Sequence, residues 1–84
     1  MEDLWLKSHK FILDCVVGDF YYGGGNKVSV VKRTSRRIYF DNGNVITIKK
    51  SESGKFFYFS GKSVDQILRD IEGYFVFLIH GSYI

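Results

Sequence analysis

The chain has 84 residues, 45% hydrophobic and 18% aromatic, with a formal net charge of +3. That is one domain, close to the smallest size at which a core holds without staples, and much of its apolar volume comes as large rings. The longest apolar run, Tyr74 to Ile79, is far short of the ~20 residues that span a bilayer.

Met1-Glu2-Asp3 is acidic where a secretory signal needs a basic start. The expectation is a cytoplasmic protein with no membrane partner. Cys15 is the only cysteine, which excludes an internal disulfide, and one cysteine with two distant histidines is not a zinc spacing. No metal or other cofactor is expected, and Cys15 reads as a small buried residue beside Val16 and Val17.

The modest net charge hides a division. Lys27 to Lys62 holds nine basic and two acidic residues, a net +7, while the two flanks together carry −4. The middle of the chain is therefore the basic pole.

Residues 1–13 read either as a helix or as two strand pieces, Leu4-Trp5-Leu6 and Phe11-Ile12-Leu13. The helix is favoured, with Asp3 as its cap and Leu4, Trp5, Ser8, Phe11 and Ile12 on its buried side. Trp5 then anchors the segment to the core through its large apolar area. Asp14 to Tyr22 reads as a first strand interrupted at Gly18-Asp19, and Gly23-Gly24-Gly25-Asn26 as a loop.

Val28 to Lys50 organises the fold as a three-stranded antiparallel meander. Strand alternation places Val28, Val30 and Lys32 on one face and Ser29, Val31 and Arg33 on the other. Ile38, Phe40, Ile46 and Ile48 face the core, while Arg37, Tyr39, Thr47 and Lys49 gather outside. Asn42-Gly43 is expected to form a two-residue hairpin turn, which needs positive φ at both central residues.

Ser51 to Gly54 is a loop, and Lys55 to Phe59 a strand with four consecutive rings, one pair for the core and the other for a second layer or a partner. Ser63 and Gln66 read as the capping box of a helix with Val64, Ile67, Leu68 and Ile71 as its buried stripe. Gly73 is expected to end that helix, and Tyr74 to His80 to form a last strand. The whole reads as one mainly β domain over residues 1–84, a five- or six-stranded small antiparallel barrel with one C-terminal helix.

Few motifs point to chemistry. Gly61-Lys62-Ser63 before a helix has the end of a nucleotide-binding loop, but Phe56 stands where the motif needs its first glycine. Gly73-Tyr74-Phe75-Val76-Phe77 echoes the aromatic strand of an RNA recognition motif, a fold with one helix more than this chain shows. His9 and His80 lie near opposite ends, and no acid, serine or cysteine is spaced to work with either. Catalysis is not expected.

The basic and aromatic sheet is the functional lead. A nucleic-acid surface needs cations for phosphates and flat rings for bases. Lys32, Arg33, Arg36, Arg37, Lys49 and Lys50 are the candidate phosphate contacts, with Tyr39 and Tyr22 as stacking rings. The plainer reading of the same residues is a solvated sheet whose lysines guard its edges from aggregation.

Val17-Gly18-Asp19, the Gly23-Gly24-Gly25 loop, Lys27 to Val31, Arg37 to Gly43 and Ile46-Thr47-Ile48 together resemble small SH3-like barrels of the KOW type. Such barrels occur in ribosomal and transcription-associated proteins and in small phage proteins. The resemblance implies non-catalytic binding of RNA, DNA or protein through loops and one sheet face. The compact, aromatic, lysine-rich and proline-free composition also looks like the early proteins with which tailed phages manipulate their hosts.

Two functions follow as expectations. One is a nucleic-acid-binding module, with RNA or single strands favoured. The other is a phage inhibitor of a host polymerase, nuclease or toxin, in which the rings are interface anchors. A ring-rich strand such as Phe56 to Phe59 is also compatible with a homodimer.

Overall fold

The computed structural model describes residues 3–80. Its elements are α1 (Leu4–Asp14), β1 (Phe20–Gly23), β2 (Asn26–Arg33), β3 (Arg37–Phe40), β4 (Val45–Lys50), β5 (Phe57–Ser60) and α2 (Val64–His80). The five strands pair antiparallel in chain order and curl into a half-barrel, a small barrel-like β fold with a C-terminal helix that is compatible with an SH3-like barrel. Helix α2 lies against β1 and α1.

The first thirteen residues take the helical alternative. Asp3 caps α1, its carboxylate accepting from the Trp5 backbone N–H at 2.9 Å. Ser8 and Ile12, one turn apart, are the buried residues, and the Ser8 hydroxyl satisfies itself on the Leu4 carbonyl at 2.8 Å. Trp5 is not a core anchor. It lies exposed on the first turn, tilted against His9 with ring centroids 3.8 Å apart, and His9 in turn reaches Phe59 of β5.

The first strand is shorter than expected, because Asp14 still belongs to α1. A turn at Val16 to Asp19, closed by the Asp19 carboxylate on the Val16 N–H, separates the helix from β1. The tight two-residue hairpin occurs not at Asn42-Gly43 but at Gly24-Gly25, where both residues have positive φ, 60° and 85°, between the paired Gly23 and Asn26. At the other hairpin only Gly43 has positive φ, and its N–H reaches the Phe40 carbonyl at 3.1 Å while Phe40 N–H reaches Asn44. The result is a three-residue loop, which the ordinary φ of Asn42 permits and a two-residue turn would not.

A bulge at Val31 shifts the register of β2 against β3, so that Val30 pairs with Phe40 but Lys32 pairs with Tyr39 and Arg33 with Ile38. One extra residue exchanges the two faces beyond it. Lys32 therefore joins the outer side and Arg33 turns inward, the reverse of simple alternation from Val28.

The chain beyond Gly73 is helix rather than strand. Ile67 and Ile71 are buried, and Tyr74 and Phe75 continue their stripe at the helical period onto the core. Glycine in a helix interior costs about 1 kcal/mol, whereas burying a large apolar side chain contributes about 1.5–3 kcal/mol. Two half-buried rings outweigh one glycine.

The expected capping box is also absent. Ser63 has φ 64°, and Gln66 donates forward to the Asp70 carboxylate at 2.9 Å instead of back to the cap. Among the described residues no helix is long and apolar enough to cross a membrane.

Candidate nucleic-acid interface

An open groove of about 660 Å³ lies where β4 ends and β5 begins, beside the turn before β3, lined by Ser35, Arg36, Arg37, Thr47, Ile48, Lys49, Lys50, Phe57 and Tyr58. Strand register builds it. Arg37 pairs with Thr47 across β3 and β4, and Lys49 and Lys50 pair with Tyr58 and Phe57 across β4 and β5. Arg36 enters from the turn before β3, where its carbonyl accepts from the Ile48 N–H at 2.7 Å and ties that turn to β4.

Four of the eight sequence candidates, Arg36, Arg37, Lys49 and Lys50, thus meet in one groove. Among the described residues, none of these four side chains is held by a hydrogen bond or an ion pair. With four cations and no acid in its lining, the groove favours the entry of an anion.

The other four candidates lie differently. Lys32 and Tyr39 form a cross-strand pair with the ammonium 5.2 Å from the ring centroid, on the outer face that Arg37, Thr47 and Lys49 share. Tyr22 stands away from the basic groove, on β1, where it meets Phe20 and Tyr74 and helps line an apolar depression of about 420 Å³ with Gly25 and Phe77.

Arg33 is engaged elsewhere. Its Nε donates to the Cys15 carbonyl at 3.1 Å, Nη2 to the Leu13 carbonyl at 2.9 Å, and Nη1 to the carbonyls of Thr34 and Arg37. A cation at the end of α1 satisfies carbonyls that the helix leaves open and opposes its dipole. The bulge at Val31 is what turns this side chain toward α1.

Phe57 and Tyr58 are the groove's two rings, and neither is among the eight sequence candidates. Their alignment with Lys50 and Lys49 depends on the length of the Ser51 to Phe56 connection, which closes through Ser51 N–H to the Phe56 carbonyl at 2.9 Å. The signal available was the run of four rings. Only Phe59 of the four packs on the core.

Compared with known families, with curated proteins and with solved structures, the chain matches none. Its function has to be read from the groove.

Two core groups have displaced titration. Burial pushes the Cys15 thiol up to about 11, with Arg33 opposing the rise. Burial, with added repulsion from Asp70 and Asp41, pushes Tyr21 up to about 12. A thiol so raised stays protonated near neutrality and is a poor nucleophile.

Proposed function

We propose that this domain is a non-catalytic nucleic-acid-binding module of the cytoplasm, taking RNA or single strands in the groove between β3, β4 and β5. Arg36, Arg37, Lys49 and Lys50 hold phosphates there, and Lys32 with Tyr39 extends the surface along β2 and β3. The observation that carries this reading is the convergence of four cations from a turn and two strands onto one groove that also has two aromatic rings. Arginines supply forked donors suited to phosphate oxygens, and the lysines supply point charges.

The test is a salt titration of binding to a short single-stranded RNA. Phosphate contacts release counterions, so four of them on a single strand give a slope near −0.7 per contact on logarithmic axes. That corresponds to roughly 50-fold weaker binding between 50 and 200 mM salt. Arg36→Glu with Arg37→Glu should weaken binding and reduce the loss over that range to about 7-fold or less. No binding at low salt, or binding insensitive to salt, removes the proposal.

A second reading is a phage-encoded inhibitor that docks on a host protein. It is favoured by the exposed rings of Trp5, Phe56, Phe57 and Tyr58. An apolar protein interface would lose little affinity over the same salt range.

A further inference from the structure

The groove does not end at Phe57 and Tyr58. The same two rings line a second depression of about 410 Å³ that runs along β5 to Phe56, Trp5 and His9 and to the start of α2. Trp5, Phe56, Phe57 and Tyr58 are 56, 60, 49 and 46% exposed. Three of these rings come from the segment entering β5 and the fourth from α1, and together they line one ledge-like depression that shares Phe57 and Tyr58 with the phosphate groove.

We infer that this ledge is a stacking platform for the unpaired bases of a single strand whose phosphates lie among Arg36, Arg37, Lys49 and Lys50. The inference rests on the nucleic-acid reading above and narrows it. A duplex keeps its bases stacked on each other, so among nucleic acids only a strand with splayed bases can lay base faces on rings beside a cation groove.

The ledge is also braced in advance. His9 lies against Trp5 at 3.8 Å between ring centroids, and its Nδ1 is 2.8 Å from the Trp5 carbonyl oxygen, while its other neighbour is Phe59. Rings held in place before binding lose little freedom when a base arrives.

A second copy of this chain is the poorer occupant. β5 ends the sheet order, so its outer edge invites another strand. Antiparallel self-pairing centred on β5 (Phe57–Ser60) would set Lys55 opposite Lys62 of the second copy, and like charges directly opposite destabilise a strand pair. A polyanion meets the same lysines favourably.

Trp5 is the only tryptophan in the chain, so its emission reports on the ledge. The full chain is titrated with oligouridylate and oligothymidylate of about 4 to 10 nucleotides, with a duplex of equal length as competitor. The expected result is a change in Trp5 emission on binding. Phe57→Ala and Tyr58→Ala should each weaken binding about 5- to 150-fold with an unchanged salt slope, since one stacked base is at stake and the phosphates are not. The duplex should compete at least roughly tenfold less well.

Salt-dependent binding with unmoved Trp5 emission, full affinity in both ring variants or equal competition by duplex overturns the inference and leaves the nucleic-acid reading intact. Absence of any oligonucleotide binding at low salt overturns both. A concentration-dependent dimer that Tyr58→Ala disperses, without an effect on oligonucleotide affinity, assigns the ledge to self-association and likewise overturns the inference. Far-UV circular dichroism and the melting temperature of each ring variant establish that it is folded before its affinity is compared.

Discussion

Arg33 and Arg36 stand three residues apart in one basic run, yet removing them should have very different consequences. The Arg33 guanidinium bridges the end of α1 to the turn between β2 and β3 through four carbonyl acceptors, two of them, on Cys15 and Leu13, at partly buried positions. A hydrogen bond with one charged partner contributes about 1.5–3 kcal/mol. Taking only the two partly buried bonds at the lower value, Arg33→Ala should cost about 3 kcal/mol. For a domain of this size each kcal/mol moves the melting temperature by roughly 4–8 °C, so the expected drop is about 12–24 °C.

Arg36→Ala removes a solvated side chain and should stay within about 0.5 kcal/mol of the parent. Arg33→Lys cannot reach several carbonyls with one ammonium and should recover less than half of the loss. Thermal unfolding followed by circular dichroism at neutral pH measures all three. Below its own transition, Arg33→Ala should also keep its oligonucleotide affinity within about threefold, because its phosphate contacts remain. An Arg33→Ala protein that melts within about 3 °C of the parent, or no lower than Arg36→Ala, would refute the clamp.

Gly61 has φ 143°, and a Cβ added there would collide with the Val45 carbonyl oxygen of β4. Gly61→Ala should therefore cost about 3 kcal/mol or more in urea unfolding, from backbone strain plus the displaced strand, and a cost under about 1 kcal/mol would contradict the packing. Stability should fall in alkali. The folded thiol of Cys15 and phenol of Tyr21 resist deprotonation more than the unfolded ones, so their contribution is whole below about pH 9 and is lost as pH rises through 11 to 12. For Cys15 alone that loss is roughly 2–3 kcal/mol, and Cys15→Ala should flatten the decline between pH 9 and 11 when urea midpoints are compared. Ile46→Ala should cost about 2–5 kcal/mol by opening a cavity beneath β4, while Val31→Ala on the exposed bulge should cost little.

Much of the β structure is legible because one buried face imposes a period of two. Ile38 with Phe40 and Ile46 with Ile48 announce which side of β3 and β4 meets the core, and all four are buried. Asp3 before an apolar period likewise marks the start of α1. Elsewhere a local signal competes with a distant one. Gly73 reads locally as a helix end, but Tyr74 and Phe75 find Phe11, Phe20 and Tyr22 across the fold, and that packing carries the helix through the glycine.

The groove divides in the same way. Its cations could be named from the chain because charge concentration is visible one residue at a time, and Arg36, Arg37, Lys49 and Lys50 do share it. Tyr22 could not be excluded, since its strand lies at the other end of a sheet whose order only the paired strands reveal. Arg33 looked equivalent to its neighbours because a one-residue bulge has no signature in alternation, and that bulge decides whether a side chain points out or in.

By itself, then, the amino-acid sequence determined the local periods, the turn residues and the basic pole, all set by neighbours within about a turn or a pleat. Which rings stand beside the cations, which arginine clamps α1, and that α2 continues past Gly73 were decided by contacts between residues far apart in the chain. Those contacts exist only once the sheet has curled and the helices have packed against it, when the gain from burial outweighs local preference.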